Sequence, residues 1–414
     1  MGFKSRVSGF FASFFGLTQA FKVVIASNIL EAFGSPQWFS IYLKQDLGAN
    51  EEAIGLVNAV KGAARLLLYP FGGVVGQRIN RKQLFMMSIF IGIPAYLIAF
   101  FAVDWTWTVL MMIVLGCRAL VMPGVQALAG EITNRATRAT VFALDATLIS
   151  IVIVLRSPLQ GMIAETLGLR YLYLSGGIAL TGSLLIVSKY LPDIKKNTSN
   201  VKSDKQPSKE VNRKWVEEVR KVFAVPNYRR NFAGLILTGT IWRLFYIGLL
   251  PFLDIYLYEE IGWGLLFFGF YGSVNAFLAV VLRIPFGKLM DKYYLKRVLF
   301  SLGPVARGIA VLLLIFTKDP FLLAAILLIN SVVDLAYTLS LTALWYDAIP
   351  LESYPTGVAI RGVIYGLCNI VGSLLVAHLW VHLGPPMSFC IISTTQIASS
   401  ILAFSLVRDI RIQK

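Results

Sequence analysis

Charge is scarce in this sequence: Asp, Glu, Lys and Arg make up 14% of 414 residues, where an ordinary soluble domain carries about a quarter. Histidine is nearly absent, with only His378 and His382. Their i, i+4 spacing permits a shared metal, but no Cys, Asp or Glu stands near them in the chain, and interfacial histidines are the simpler reading. Cys117, Cys368 and Cys390 all fall within apolar stretches, so they imply packing and no disulfide framework. No GxxxxGK(S/T) loop and no HExxH occur, which removes support for an ATP-driven pump and for a zinc protease.

What the chain has instead is apolar length: 57% hydrophobic residues and a mean hydropathy of +0.71. The apolar residues come in runs that approach the roughly 20 residues needed to cross a bilayer. Twelve such spans are predicted, at 21–43, 52–75, 83–102, 107–129, 139–163, 170–190, 231–257, 264–287, 297–316, 321–345, 356–381 and 386–407. Continuous apolar runs without alternation are incompatible with a barrel, and lipid leaves the backbone no other partner than itself, so the class is an all-α membrane protein.

The net charge of +16 is topological and does not point to nucleic acid. With the N-terminus in the cytoplasm, Lys4, Arg6, Arg78, Arg81, Lys82, Arg135, Lys288, Lys292, Lys296, Arg297, Arg408 and Lys414 all fall inside. The opposite loops hold Lys44, Arg170 and Lys318 beside Asp46, Glu51, Glu52, Asp104, Glu259 and Glu260. This asymmetry follows the positive-inside rule and places both termini in the cytoplasm. The basic, Phe-rich start reads as an interfacial helix leading into the first span, since no small-residue cleavage site precedes that span.

Residues 192–230 form a Lys- and Ser-rich cytoplasmic linker, with a short surface helix predicted at 211–223. It separates an N-terminal six-helix bundle, 1–191, from a C-terminal one, 231–414. The halves are related. Ile41-Tyr42-Leu43 recurs as Ile255-Tyr256-Leu257, and Gly73 with Arg78 recurs as Gly287 with Lys292, at a shift of 214. Farther along, Ala127-Leu128 with Glu131 recurs as Ala343-Leu344 with Asp347, and Gly168 as Gly384, at a shift of 216. Matches in register across equivalent spans indicate a parallel internal repeat.

The loop Gly73-Val-Val-Gly-Gln77-Arg78-Ile-Asn80-Arg81-Lys82 resembles the signature of the major facilitator superfamily. Gly287-Lys-Leu-Met-Asp291-Lys292, followed by Lys296-Arg297, repeats it in the second half. Gln77 and Asn80 depart from the usual Asp and Gly. The resemblance implies a cytoplasmic gate in which Arg81 meets Glu131 and Lys296 or Arg297 meets Asp347, with Arg361 as the base for the loop position that Gln77 leaves neutral. Ser157-Pro158-Leu-Gln-Gly161 resembles a degraded form of the superfamily's antiporter motif.

A charge at the bilayer centre costs about 2.5–3.5 kcal/mol on insertion scales and needs a reason. Glu31, Arg118, Arg243 and Asp334 lie near the midplane of spans 1, 4, 7 and 10. These are the helices that line the central cavity in the superfamily that the chain resembles. Arg118 and Asp334 are repeat-equivalent and opposite in sign, so the order of acid and base is reversed between the halves. Asn28, Glu31 and Ser35 share one helix face, as do Asn330, Asp334 and Thr338. Two uses fit: ion pairs that brace helices, or a water-filled substrate site in which Glu31, Arg118 and Asp334 handle a proton. Lys61 and Arg156 either attract an anionic solute or snorkel to the interface.

The resemblance extends to drug/proton antiporters, which pair an acid on helix 1 with an arginine on helix 4. It implies a monomer in the cell membrane that exports small amphipathic organic compounds against protons, with no cofactor. Trp242, Tyr246 and Tyr337 would form the aromatic wall of the cavity. Uptake of an organic anion is the rival within transport, suggested by the membrane-embedded cations. A non-transporting sensor or scaffold, with the linker as its contact surface, is the rival of another class.

Overall fold

The computed structural model describes residues 19–122, 125, 128, 138–193, 226–347 and 354–408. Among them the chain is helical throughout, with twelve α-helices, one 3-10 turn and no strand. The predicted linker helix and the N-terminal interfacial helix lie outside the described residues. Seven segments are long and apolar enough to cross a membrane: Arg81–Phe101, Asp145–Thr166, Arg170–Tyr190, Arg230–Glu259, Leu265–Met290, Pro320–Trp345 and Arg361–Leu406.

The first crossing is made of two helices, α1 (Gln19–Gly34) and α2 (Phe39–Gln45), where a single span is predicted. Pro36 cannot donate a backbone hydrogen bond, and Trp38 takes the left-handed conformation with φ 56°, so the helix breaks between them. At about 1.5 Å per residue the two helices together still exceed the roughly 30 Å of hydrocarbon. Then follow α3 (Glu51–Arg78), α4 (Arg81–Phe101), α5 (Thr106–Cys117) with the 3-10 turn Arg118–Leu120, α6 (Arg138–Thr166) and α7 (Arg170–Tyr190). The later helices are α8 (Pro226–Glu259), α9 (Leu265–Tyr293), α10 (Lys296–Leu313), α11 (Pro320–Asp347) and α12 (Tyr354–Leu406). Gly384, at φ 73°, breaks α12 into two arms just before Pro385 and Pro386, so α12 supplies the last two crossings.

The repeat is visible in backbone geometry as well as in residue identity. The Tyr42 hydroxyl donates to the Ala99 carbonyl at 2.5 Å, and the Tyr256 hydroxyl donates to Leu314 at 3.2 Å. The turns that end these helices match too: Ala49 N–H bonds the Leu43 carbonyl and Trp263 N–H the Leu257 carbonyl, each at 2.9 Å. Gly48 and Gly262 occupy the positive-φ position within them, and Gly168 and Gly384 do so at the later shift.

The helices fall into two compact units, one of Met1–Ala49, Val60–Asn197 and Gly264–Phe277, the other of Asn50–Ala59, Thr198–Trp263 and Leu278–Lys414. In the first, α1 packs on α7 and α6, and α4 packs on α7 and α5. The Ser27 and Ser183 hydroxyls meet at 2.6 Å in this contact, so small polar residues join the helices where apolar burial gives little drive in lipid. In the second unit, α12 packs along α8 and α10, and α10 packs on α11. The second arm of α12 is knitted to its neighbours by Ser393 to Gly308, Ser400 to Ser301, Ser399 to Thr238 and Gln396 to Trp242, each onto a backbone carbonyl.

Candidate functional site

In the first unit the Arg118 Nη2 atom lies 2.6 Å from Glu31 Oε1. The pair is neither sealed nor free, with side-chain exposures of 21% for Arg118 and 27% for Glu31. The 3-10 turn after α5 places the arginine opposite the last turn of α1. Tyr96 of α4 lies within electrostatic reach of Glu31, Arg118 and Arg156 and is hydrogen-bonded to the Ser35 side chain. Asn28, one turn before Glu31, donates to both carboxylate oxygens of Asp145 on α6, at 3.3 and 3.4 Å. Lys61 has no carboxylate partner among the described residues and stands within reach of the like charges of Arg65 and Arg118.

Arg156 has a backbone contact that its sequence position does not reveal. It is buried, and its guanidinium donates to the Ala32 carbonyl at the end of α1. One turn on, Gln160 donates to the carbonyls of Phe33 and Ser35 at 3.2 and 3.1 Å, and Ser157 accepts from Gln37 at 3.2 Å. The break between α1 and α2 leaves these carbonyls without helical partners, and the Arg156–Gln160 face of α6 satisfies them. At least one arm of the Arg156 guanidinium is thus committed to the backbone at this break.

In the second unit Asp334 pairs with Arg307, Nη2 to Oδ1 at 2.6 Å. Arg307 is buried on α10, its guanidinium lying 3.5 Å from the centre of the Tyr246 ring and 5.4 Å from that of Trp242. Arg243 does not meet Asp334. Its Nε donates to Asn369 Oδ1 on α12 at 3.2 Å, and its guanidinium lies over the Tyr365 ring at 4.8 Å. Of the expected aromatic wall, Trp242 and Tyr337 belong to the buried core of this unit with Phe300, and Tyr246 is partly buried against it. Thr338 bonds the Asp334 backbone carbonyl at 2.8 Å, and the buried Asn330 Oδ1 has no hydrogen-bond partner among the described residues.

Glu131 lies outside the described residues, and so do the side chains of Gln77, Arg78, Asp291 and Asp347, with Gly73 beside them. The expected gate contacts of Arg81 with Glu131 and of Lys296 or Arg297 with Asp347 fall there. Gly287 lies in α9 with open space where a Cβ would stand. Arg297 donates to the Phe404 carbonyl and lies over its ring at 4.4 Å. Arg361 stacks on Trp345 at 5.1 Å. His378 and His382 are exposed with ring centroids 4.1 Å apart, and no group of three potential metal ligands occurs among the described residues.

Sequence reasoning missed Arg307, Asp145, Asn369, Tyr365 and Tyr96. The first two carried a signal, since each is a charge inside a predicted span. The others are ordinary membrane residues, marked only by the neighbours that the fold gives them.

Membrane-crossing helices in two related halves, each with an ion pair between its own helices, define a polytopic membrane protein. The sequence pattern of the Major Facilitator Superfamily matches residues 23–294 and 235–413, and the chain belongs to this family of transporters. It is 23% identical over 362 residues to the quinolone resistance protein NorA of Staphylococcus aureus strain COL, covering 85% of this chain and 87% of that one. The fold is similar to that of the nucleoside transporter NupG, with a TM-score of 0.74 at 12% identity, covering 94% of this chain and 100% of that one. A POT family transporter in complex with 5-aminolevulinic acid gives a TM-score of 0.73 at 15% identity, covering 95% and 96%.

Proposed function

We propose that the protein is a secondary active transporter that exchanges protons for small amphipathic organic compounds and exports them by alternating access. The observation that carries this reading is the Glu31–Arg118 pair at 2.6 Å, about a quarter exposed on each side. A carboxylate held by one guanidinium and only partly buried is placed to exchange that partner for another, and the pair then opens. A polar solute that competes for the same charges is exchanged for the proton without any covalent chemistry. The similarity to NorA, named for quinolone resistance, supports organic compounds as cargo and efflux as the direction. The test is flux in proteoliposomes under an imposed pH gradient, with aromatic cations, zwitterions and acids offered in turn. Flux that ignores the gradient for every compound sinks the reading.

Uptake of an organic anion is the second reading. Lys61 and Arg243 favour it, since neither has a carboxylate partner among the described residues. The direction in which an aromatic acid moves under the same gradient separates the two.

A further inference from the structure

The second unit brings two guanidinium groups into the membrane interior and treats them differently. Arg307 has a counter-charge, with Asp334 at 2.6 Å and Tyr246 against its face. Arg243 has only neutral neighbours at bonding distance: Asn369 Oδ1 accepts from its Nε–H at 3.2 Å, and Tyr365 lies under its plane at 4.8 Å. With Nε committed, the edge formed by the two Nη atoms has no hydrogen-bond partner among the described residues. That edge is the one that meets a carboxylate through two parallel N–H···O bonds. A buried or half-buried cation without a counter-charge is costly, so its retention asks for an anion that comes and goes.

The scaffold around Arg243 fixes the direction of this edge before any ligand arrives. α8 and the first arm of α12 run side by side in the same direction. Gly239 faces Tyr365 and Arg243 faces Asn369, while Gly248 meets Gly372 farther along. A Cβ at Gly239 would stand 2.6 Å from the Tyr365 hydroxyl, so the ring lies tightly against the helix that carries the arginine. Planar support from one side and an amide on Nε leave the guanidinium little rotational freedom, which lowers the entropy cost of binding.

We propose that the Nη edge of Arg243 is the receptor for the carboxylate of the transported compound, which makes the cargo an amphipathic organic acid or zwitterion and not a simple cation. This rests on the transport reading above for the apolar body of the cargo, and on Arg243, Asn369 and Tyr365 alone for its charge.

The test is equilibrium binding to the purified full-length protein in detergent, with 2-naphthoate as probe and its uncharged methyl ester as control. The wild type is expected to favour the acid by about tenfold or more, the scale of a charge-assisted bidentate pair. Arg243→Gln removes the preference, Arg243→Lys keeps the charge without the fork and retains a minor part of it, and Asn369→Leu weakens it by releasing Nε. No preference in the wild type, or an unchanged one in Arg243→Gln, overturns the proposal. Should Arg243→Gln fail to fold, an unchanged preference in both Arg243→Lys and Asn369→Leu overturns it equally. Gradient-driven flux is read separately in liposomes. Its absence with the acid preference intact removes the exporter reading and leaves the receptor, while intact flux without the preference removes the receptor alone.

Discussion

Asp334 on α11 is paired with Arg307 on α10, Nη2 to Oδ1 at 2.6 Å, and the two partners differ sharply in exposure, 5% for the arginine and 29% for the acid. The pair in the other unit, Arg118 with Glu31, has the same 2.6 Å separation but nearly equal exposures. Arg118 and Asp334 occupy equivalent repeat positions, yet one takes its partner from the first crossing of its half and the other from the third. The ion pairs thus differ between the halves, while the Tyr42 and Tyr256 bonds stay in register.

The unequal burial of the Asp334–Arg307 pair sets the order of mutational effects. Asp334→Asn leaves a buried guanidinium without its counter-charge and is expected to cost about 2–4 kcal/mol, toward the lower end of values for broken buried pairs. Arg307→Gln leaves an acid that is less deeply buried and should cost less. The double variant should recover part of the loss. Thermal melts of the four proteins in one detergent check this, and equal losses for the two single variants would contradict the assigned pairing.

The close approach of α8 and α12 makes a second prediction. A Cβ at Gly372 would overlap the Leu244 carbonyl oxygen, and one at Gly248 would overlap the Gly372 carbonyl. Backbone on both sides cannot yield as a flexible side chain can. Gly372→Ala is expected to lose about 1–3 kcal/mol by forcing the helices apart. Because Asn369 lies one turn away on the same face, the variant should also weaken binding of aromatic acids more than Gly287→Ala, where the added carbon meets open space.

Orientation in the membrane is tested by thiol accessibility in a variant lacking Cys117, Cys368 and Cys390. Val103, 78% exposed after α4, and Asp193, exposed after α7, lie at loops assigned to opposite sides. With cytoplasmic termini, Val103→Cys reacts with an impermeant reagent in intact cells and Asp193→Cys reacts only after lysis. The reverse pattern would invert the topology. Ser388, an obvious choice from its loop position, is a poor probe because it is fully buried.

The frame of this protein is legible in its sequence because lipid reduces the problem to apolar run length, and because the repeat supplies each half with an internal control. Ile41-Tyr42-Leu43 and its later copy mark equivalent helix ends, and Gly168 and Gly384 mark equivalent turns. The break in the first crossing is written in Pro36, though a hydropathy run passes over it. The partner of a charge is less legible. Arg307 stands in the middle of a predicted span and is as conspicuous as Arg243, but nothing in the linear order says which of the two faces Asp334. Arg156 is less legible still, since it binds a backbone carbonyl that any residue at position 32 would offer.

Glu31 carries the last prediction. Its oxygen lies 2.6 Å from Arg118, close enough for a brace between α1 and the end of α5, yet the pair is only partly buried. A brace and a proton carrier make different demands on the same carboxylate. A brace needs a partner for Arg118 at all times, and Glu31→Gln would weaken it, lowering the melting temperature while leaving the pH dependence of any remaining transport unchanged. A carrier needs the carboxylate to change charge, and Glu31→Gln fixes the neutral state. The amide still offers Arg118 an oxygen, so the carrier reading expects a folded variant that exchanges solute for solute but no longer accumulates it when a pH gradient is imposed. Parallel melts and liposome flux, with and without the gradient, separate the two. If gradient-driven accumulation survives Glu31→Gln, the proton does not ride on this residue. Asp334 then becomes the acid to test, but Arg307 must be changed with it, because Asp334→Asn alone strands a buried cation and confounds coupling with stability.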